Sequence, residues 1–208
     1  MDLNQFFEDL ASKKPVPGGG SASCVAAAMA AALLGMVTQL SIGRKDDKAL
    51  DARFKEVLSS VEALKPRLFQ LAEEDAQGYR KVMKAFKLPK ESPEDKASRK
   101  QAIQKAFEGA IATPLALLWE TLNLMDWTLL LLEHGNVNAF SDAGVAYHLI
   151  RTAFEGGKMN VLINLDSIND EGIKQRYLKK LKEIENAFSE KRQEVENRIK
   201  TWIDTIVR

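Results

Sequence analysis

Cysteine is nearly absent from this chain of 208 residues, and its single thiol, Cys24, sits among alanines. One cysteine cannot form an internal disulfide and brings no metal-binding cluster, so Cys24 reads as a small buried residue. Histidine is almost as scarce. His134 and His148 show no metal-ligand spacing and read as an ordinary loop and an ordinary helix residue, so no metal is expected. There is no excess of charge: the formal net charge is +1, which argues for neither a nucleic-acid nor a membrane partner. No stretch alternates apolar and polar residues as a strand would. No repeat or low-complexity linker divides the chain, and its length fits one domain over residues 1–208. The first residues carry Asp2, Glu8 and Asp9 where a signal peptide would be apolar. The alanine-rich segment is too rich in small residues to read as a membrane span, and Leu115 to Leu132 carries Glu120 and Asp126. These features together predict a soluble, cytoplasmic protein.

What the chain does have is apolar residues, 45% of the total, recurring at helical spacing. The expected fold is all-α: a helical bundle with long kinked helices and a glycine-rich turn feeding a buried, alanine-rich helix. Asp2 to Lys13 reads as a short amphipathic helix, and Ser21 to Ile42 as the central one. Lys48 to Phe86 reads as a long helix with a kink at Pro66. Ser92-Pro93-Glu94-Asp95 is a helix start, with Ser at the N-cap, Pro at N1 and acids in the first turn. That helix is expected to stop near Ala112, ahead of Thr113-Pro114. Leu115 to Glu133 is apolar over more than half its circumference, which predicts a central place in the bundle or burial in a homodimer. Ser141 is expected to cap a helix from Asp142 to Glu155. Gly156-Gly157 should lead into a separate short helix, and Asp170 should begin a last charged helix running to the C-terminus.

The turn Pro15-Val16-Pro17-Gly18-Gly19-Gly20-Ser21 can be the middle of neither a helix nor a strand. Its glycines let the backbone approach another surface closely, Gly19 being the expected point of contact. Ser21 is a good N-cap for the alanine-rich helix, whose free N–H groups favour a carboxylate or phosphate. A plain turn with a capped core helix is the alternative. A P-loop is excluded, because no Gly-Lys-Ser/Thr ends the run.

Polar residues on apolar faces carry the chemistry. At about 100° per residue, Leu64, Leu68, Leu71, Tyr79, Val82 and Phe86 all lie within roughly 40° of Asp75. A charge in that stripe is costly, and burial would raise its pKa into the range useful for proton transfer. The alternative is an ion pair with a neighbouring Lys or Arg. Asn160 and Asn164 share a helix face among Val161, Leu162, Ile163 and Leu165, so their amides need backbone or ligand partners. Asp142 lines up with Ala146, Leu149 and Ala153, but it also falls in a first helical turn, where capping accounts for an acid.

Pro17 to Ser21 before an alanine-rich helix, Gly135-Asn136 before Ser141-Asp142, and Asn160 to Leu165 before Ile168 and Asp170 together resemble the cyclodeaminase family. This is the C-terminal half of formiminotransferase-cyclodeaminase, with its stand-alone bacterial relatives. The loop Lys87 to Lys96 is similar to that of the bifunctional enzyme. The resemblance implies a dimerising helical domain acting on a tetrahydrofolate derivative. It implies that 5-formiminotetrahydrofolate closes to 5,10-methenyltetrahydrofolate and releases ammonia, with Asp75 moving the proton. It further implies substrate contacts from Gly18, Gly19, Gly20, Ser21, Asn136, Ser141, Asp142, Asn160, Asn164 and Asp170, with the glycine turn holding a folate carboxylate. Val16 departs from the Thr expected there. No formiminotransferase half has a counterpart in these residues, so a separate formiminotransferase is an expected partner. A methenyltetrahydrofolate cyclohydrolase is the second reading, and a non-catalytic helical interaction module the third.

Overall fold

The structure, a computed structural model, describes residues 2–207. Six α-helices follow one another: α1 Leu3–Leu10, α2 Gly19–Gln39, α3 Lys48–Phe86, α4 Pro93–His134, α5 Phe140–Asp166 and α6 Glu171–Ile206. A 3₁₀ turn, Val137–Ala139, joins α4 to α5, and no strand occurs among the described residues. One hydrophobic cluster draws on all six helices, from Phe6 of α1 to Val195 of α6.

α2 lies at the centre, packed on α3, α4 and α5. Its alanines Ala27, Ala28, Ala30 and Ala31 are almost fully buried and let the neighbours approach closely. Several starts follow local chemistry. Asp2, Asp47 and Asp170 each accept a backbone N–H as N-caps of α1, α3 and α6. Ser92 and Asp95 form a reciprocal capping box ahead of Pro93. α2 and α4 each contain a window long and apolar enough to cross a bilayer, but 67% and 56% of those windows are buried inside the bundle.

Four sequence expectations are corrected. Thr113-Pro114 does not end a helix, because α4 runs through Pro114 with Ile111, Leu115 and Leu118 buried on either side. Gly156-Gly157 does not separate two helices. Instead, both glycines sit inside α5 at close contacts. A Cβ on Gly157 would crowd Leu118 and Leu117 of α4, and one on Gly156 would overlap Ser23 of α2. Ser141 is not an N-cap; Ala139 holds that place without a side-chain bond, and Ser141 is exposed in the first turn. Ser21 is not an N-cap either. α2 starts two residues earlier, with Gly18 in extended conformation at the cap.

Candidate active site

Freed from capping, the Ser21 side chain turns into the protein. Its hydroxyl lies 3.0 Å from the Ala72 carbonyl oxygen and 2.9 Å from Asp75 Oδ2. Asp75 thus reaches from α3 onto the first turn of α2. The carboxyl occupies the space above Gly20, where a Cβ would stand 2.6 Å from Asp75 Cγ. The missing Cβ at Gly20 is what lets the carboxyl group rest there. At Gly19, where the sequence placed the close approach, a Cβ would meet only Asn160 Nδ2 at 3.9 Å.

Burial raises the pKa of Asp75, and hydrogen bonds from the Ser21 hydroxyl and the Ser21 backbone N–H oppose that rise. No Lys or Arg forms a salt bridge with Asp75 among the described residues. On its own helix, Arg67 pairs instead with Glu74 at 2.7 Å. The ion-pair alternative therefore finds no partner. The positive end of α2, expected to hold a folate carboxylate, already faces a carboxylate of the protein.

Asp75 opens onto a cleft of about 460 Å³ between α2, α3, α4 and α5. Gly18, Gly19 and Gly20 form one wall, and Asn160 and Asn164 another. Each asparagine donates its Nδ2 to a carbonyl one turn earlier, Asn160 to Gly156 and Asn164 to Asn160, both at 2.8 Å. Each bond commits one of the two hydrogens on its Nδ2, and neither Oδ1 accepts a hydrogen bond among the described residues. The remaining walls are Tyr79, Val82, Met83 and Phe86 of α3 with Phe107 of α4. Phe86 and Phe107 meet edge to face at 6.1 Å.

The aromatic wall went unassigned in the sequence, although its signal was present. Tyr79, Val82 and Phe86 share the Asp75 stripe and read as core. In the structure that stripe divides. Leu64, Leu68 and Leu71 are buried, whereas Tyr79 and Phe86 are 39% and 43% exposed and face the cleft.

Four expected site residues lie away from this cleft. Asn136 sits at the opposite end of α2, about 30 Å from Gly20 at 1.5 Å per residue. There it is a latch: its backbone N–H donates to Ser41 Oγ, its Nδ2 to the Leu40 carbonyl, and its Oδ1 accepts from Asn138 N. Ser141 and Asp142 stand at the start of α5, about 27 Å along the helix from Asn160. Asp170 caps α6 through Ile173 N and borders a neighbouring groove lined by Lys100, Gln104 and Lys105. No three His, Cys, Asp or Glu side chains gather as a metal site among the described residues. Another hollow, on the far side of Ser23, is lined by His148, Arg151 and Glu155. It has no buried acid and no aromatic wall.

The chain matches a family model described as "Formiminotransferase-cyclodeaminase" over residues 2–183. It is 35% identical to a methenyltetrahydrofolate cyclohydrolase of Methylorubrum extorquens, over 90% of this chain and 89% of that one. It is 34% identical to the formimidoyltransferase-cyclodeaminase of Sus scrofa over 88% of its own length, and the match spans 34% of that longer protein. The crystal structure of a formiminotetrahydrofolate cyclodeaminase from Thermotoga maritima superposes with a TM-score of 0.88 at 30% identity, covering 98% of both chains.

Proposed function

Because the chain belongs to the formiminotransferase-cyclodeaminase family, we propose that it converts 5-formiminotetrahydrofolate to 5,10-methenyltetrahydrofolate and ammonia. The observation that carries the reading is Asp75, an acid without a counter-cation at the wall of an aromatic-lined cleft. In the reaction, N10 attacks the carbon of the formimino group, whose nitrogen enters protonated as an amidinium and so becomes NH2 on the tetrahedral carbon. Asp75, ionised at that moment, takes the N10 proton, and a tetrahedral carbon forms. The acid then hands the proton to the former imino nitrogen, which leaves as ammonia, and the methenyl cation remains. One carboxyl serves both transfers when its pKa lies near the working pH.

The free Oδ1 atoms of Asn160 and Asn164 suit the donor-rich edge of a pterin, and Phe86, Phe107 and Tyr79 suit its ring and the benzoyl group. The groove along Lys100 and Lys105 suits the carboxylates of a glutamate tail. A separate formiminotransferase would supply the substrate.

The similarity to the Methylorubrum protein favours a second reading, cyclohydrolase, in which water attacks the methenyl carbon and 10-formyltetrahydrofolate results. Incubating the purified protein with each folate separates the two. The first reading expects methenyl absorbance to rise with equimolar ammonia from the formimino compound. The second expects that absorbance to fall faster than in buffer, without ammonia. Silence toward both folates would leave a helical interaction module.

A second copy belongs to the same proposal, by a face other than the one the sequence indicated. Most apolar residues of Leu115 to Glu133 are covered by the chain's own helices, among them Leu117, Leu118, Leu124 and Met125. Trp119 is the exception at 52% exposed, and a longer uncovered apolar stripe runs along α2 to its C-cap, where Met29, Met36 and Leu40 are 51%, 39% and 48% exposed. A helix that is apolar all round calls for cover on every side. Light scattering at micromolar concentration is expected to give twice the chain mass, and Met29→Lys with Met36→Lys to give the single mass. A wild-type monomer would refute the dimer.

A further inference from the structure

The Ser21 hydroxyl has one hydrogen and two acceptors within reach, Asp75 Oδ2 and the Ala72 carbonyl, and it is buried from solvent. We propose that Ser21 is a positioning residue whose hydroxyl hydrogen alternates between Asp75 and the Ala72 carbonyl as Asp75 gives up and regains its proton. The proposal rests on the proton-carrying part assigned to Asp75 above.

With Asp75 ionised, the hydrogen points to Oδ2, where a charge-assisted bond is the stronger of the two. With Asp75 protonated, Oδ2 is a weaker acceptor. The hydrogen then turns to Ala72, whose carbonyl has a second lone pair beyond its helical bond. No heavy atom moves and Ser21 never loses its proton. Both charge states of a half-buried acid are accommodated by one bond rotation, and Oδ1 is left free of protein side chains for the substrate.

The surrounding ionisable groups do not supply this adjustment. On α2 the Cys24 thiol is pushed up to about 12 by burial and stays neutral. On α3, Glu74 is held by Arg67, and Tyr79 lies on the cleft. On α5, Asp166 lines the cleft. Behind Ser21 lie Asp2 and Asp9, next to α1 and on it, and Glu73 and Arg80 of α3. α4 contributes Phe107 and Ala110 to the cleft, neither of them ionisable.

The test follows the Asp75 carboxyl by ¹³C NMR in the substrate-free protein, together with the pH profile of kcat/KM. The Ser21 bond favours the carboxylate, so its loss must raise the pKa. Ser21→Ala is expected to move the Asp75 titration up by about one pH unit. The ascending limb of kcat/KM should move with it. Ser21→Thr, which keeps the hydroxyl, should restore both. An unmoved titration in folded Ser21→Ala overturns the proposal. A moved titration with an unmoved limb overturns the catalytic part, and with it the role of Asp75. Should Ser21→Ala fail to fold, Ser21→Cys keeps a weaker donor and should shift the titration in the same direction by less; no shift there also overturns it.

Discussion

Asp75→Asn is expected to lower turnover by about 10²–10⁴-fold, the usual worth of a general acid–base group, with folate affinity kept within a few-fold. Asparagine keeps the size and can still accept from Ser21 Oγ, but it exchanges no proton. The expected stability change has the opposite sign. Unfolded, Asp75 titrates near 3.9; folded, burial holds its pKa higher. Between those values the folded state binds more protons, so stability falls as pH rises through the folded pKa. At neutral pH the wild type carries a half-buried carboxylate, and the neutral amide relieves that cost. The Asp75→Asn protein should therefore melt at or above the wild-type temperature at pH 7, and the difference should shrink in acid. Had Asp75 been paired with a buried cation, the substitution would have cost roughly 3–5 kcal/mol. Arg67 bonds Glu74 instead. Turnover near the wild-type value in a folded Asp75→Asn protein would remove Asp75 from the mechanism.

The parts of the fold legible in the sequence are those decided locally. The Ser92 capping box, the Asp170 cap and the long α3 depend on residues within one turn of each other. Pro114 and Gly156-Gly157 read as breaks, because a proline in a helix costs about 3 kcal/mol and glycine about 1. Neither ends its helix, since the flanking segments are fixed by distant partners. Pro114 lies among residues buried in the core. Gly156 and Gly157 allow α5 to press against Ser23, Leu117 and Leu118. Periodicity cannot report such contacts, because the partner is far away in sequence.

The site divides in the same way. Asp75 stood out because a charge in an apolar stripe conflicts with its own helix. Asn160 and Asn164 stood out likewise, and all three reach the cleft. Asn136 and Asp142 carry residue types equally fit for a site. Which end of a 30 Å bundle they occupy depends on how α2, α4 and α5 are threaded, and a one-dimensional pattern does not contain that information. The aromatic wall was hidden for a related reason: a stripe of apolar residues looks the same whether a helix or a cleft covers it.

Gly20→Ala should be nearly as damaging to turnover as removing the acid, although it deletes no functional group. Gly20 is helical and has no positive φ, so alanine fits its backbone. Alanine also has the higher helix propensity, by about 1 kcal/mol. The added Cβ, however, falls 2.6 Å from Asp75 Cγ, inside any tolerable contact. The side chain of Asp75 is the softer partner, because rotation about χ1 carries its carboxyl away while both helices stay in place. Asp75 would then lose the Ser21 hydroxyl and its aim at the cleft. Displacing a catalytic group by about 1 Å can cost on the order of 10²-fold in rate, and this displacement is larger. The expected result is a protein with wild-type melting behaviour, turnover down by about 10²-fold or more, and an Asp75 titration moved upward by loss of its donors. A Gly20→Ala protein as active as wild type would mean that the carboxyl need not rest on the α2 terminus to work.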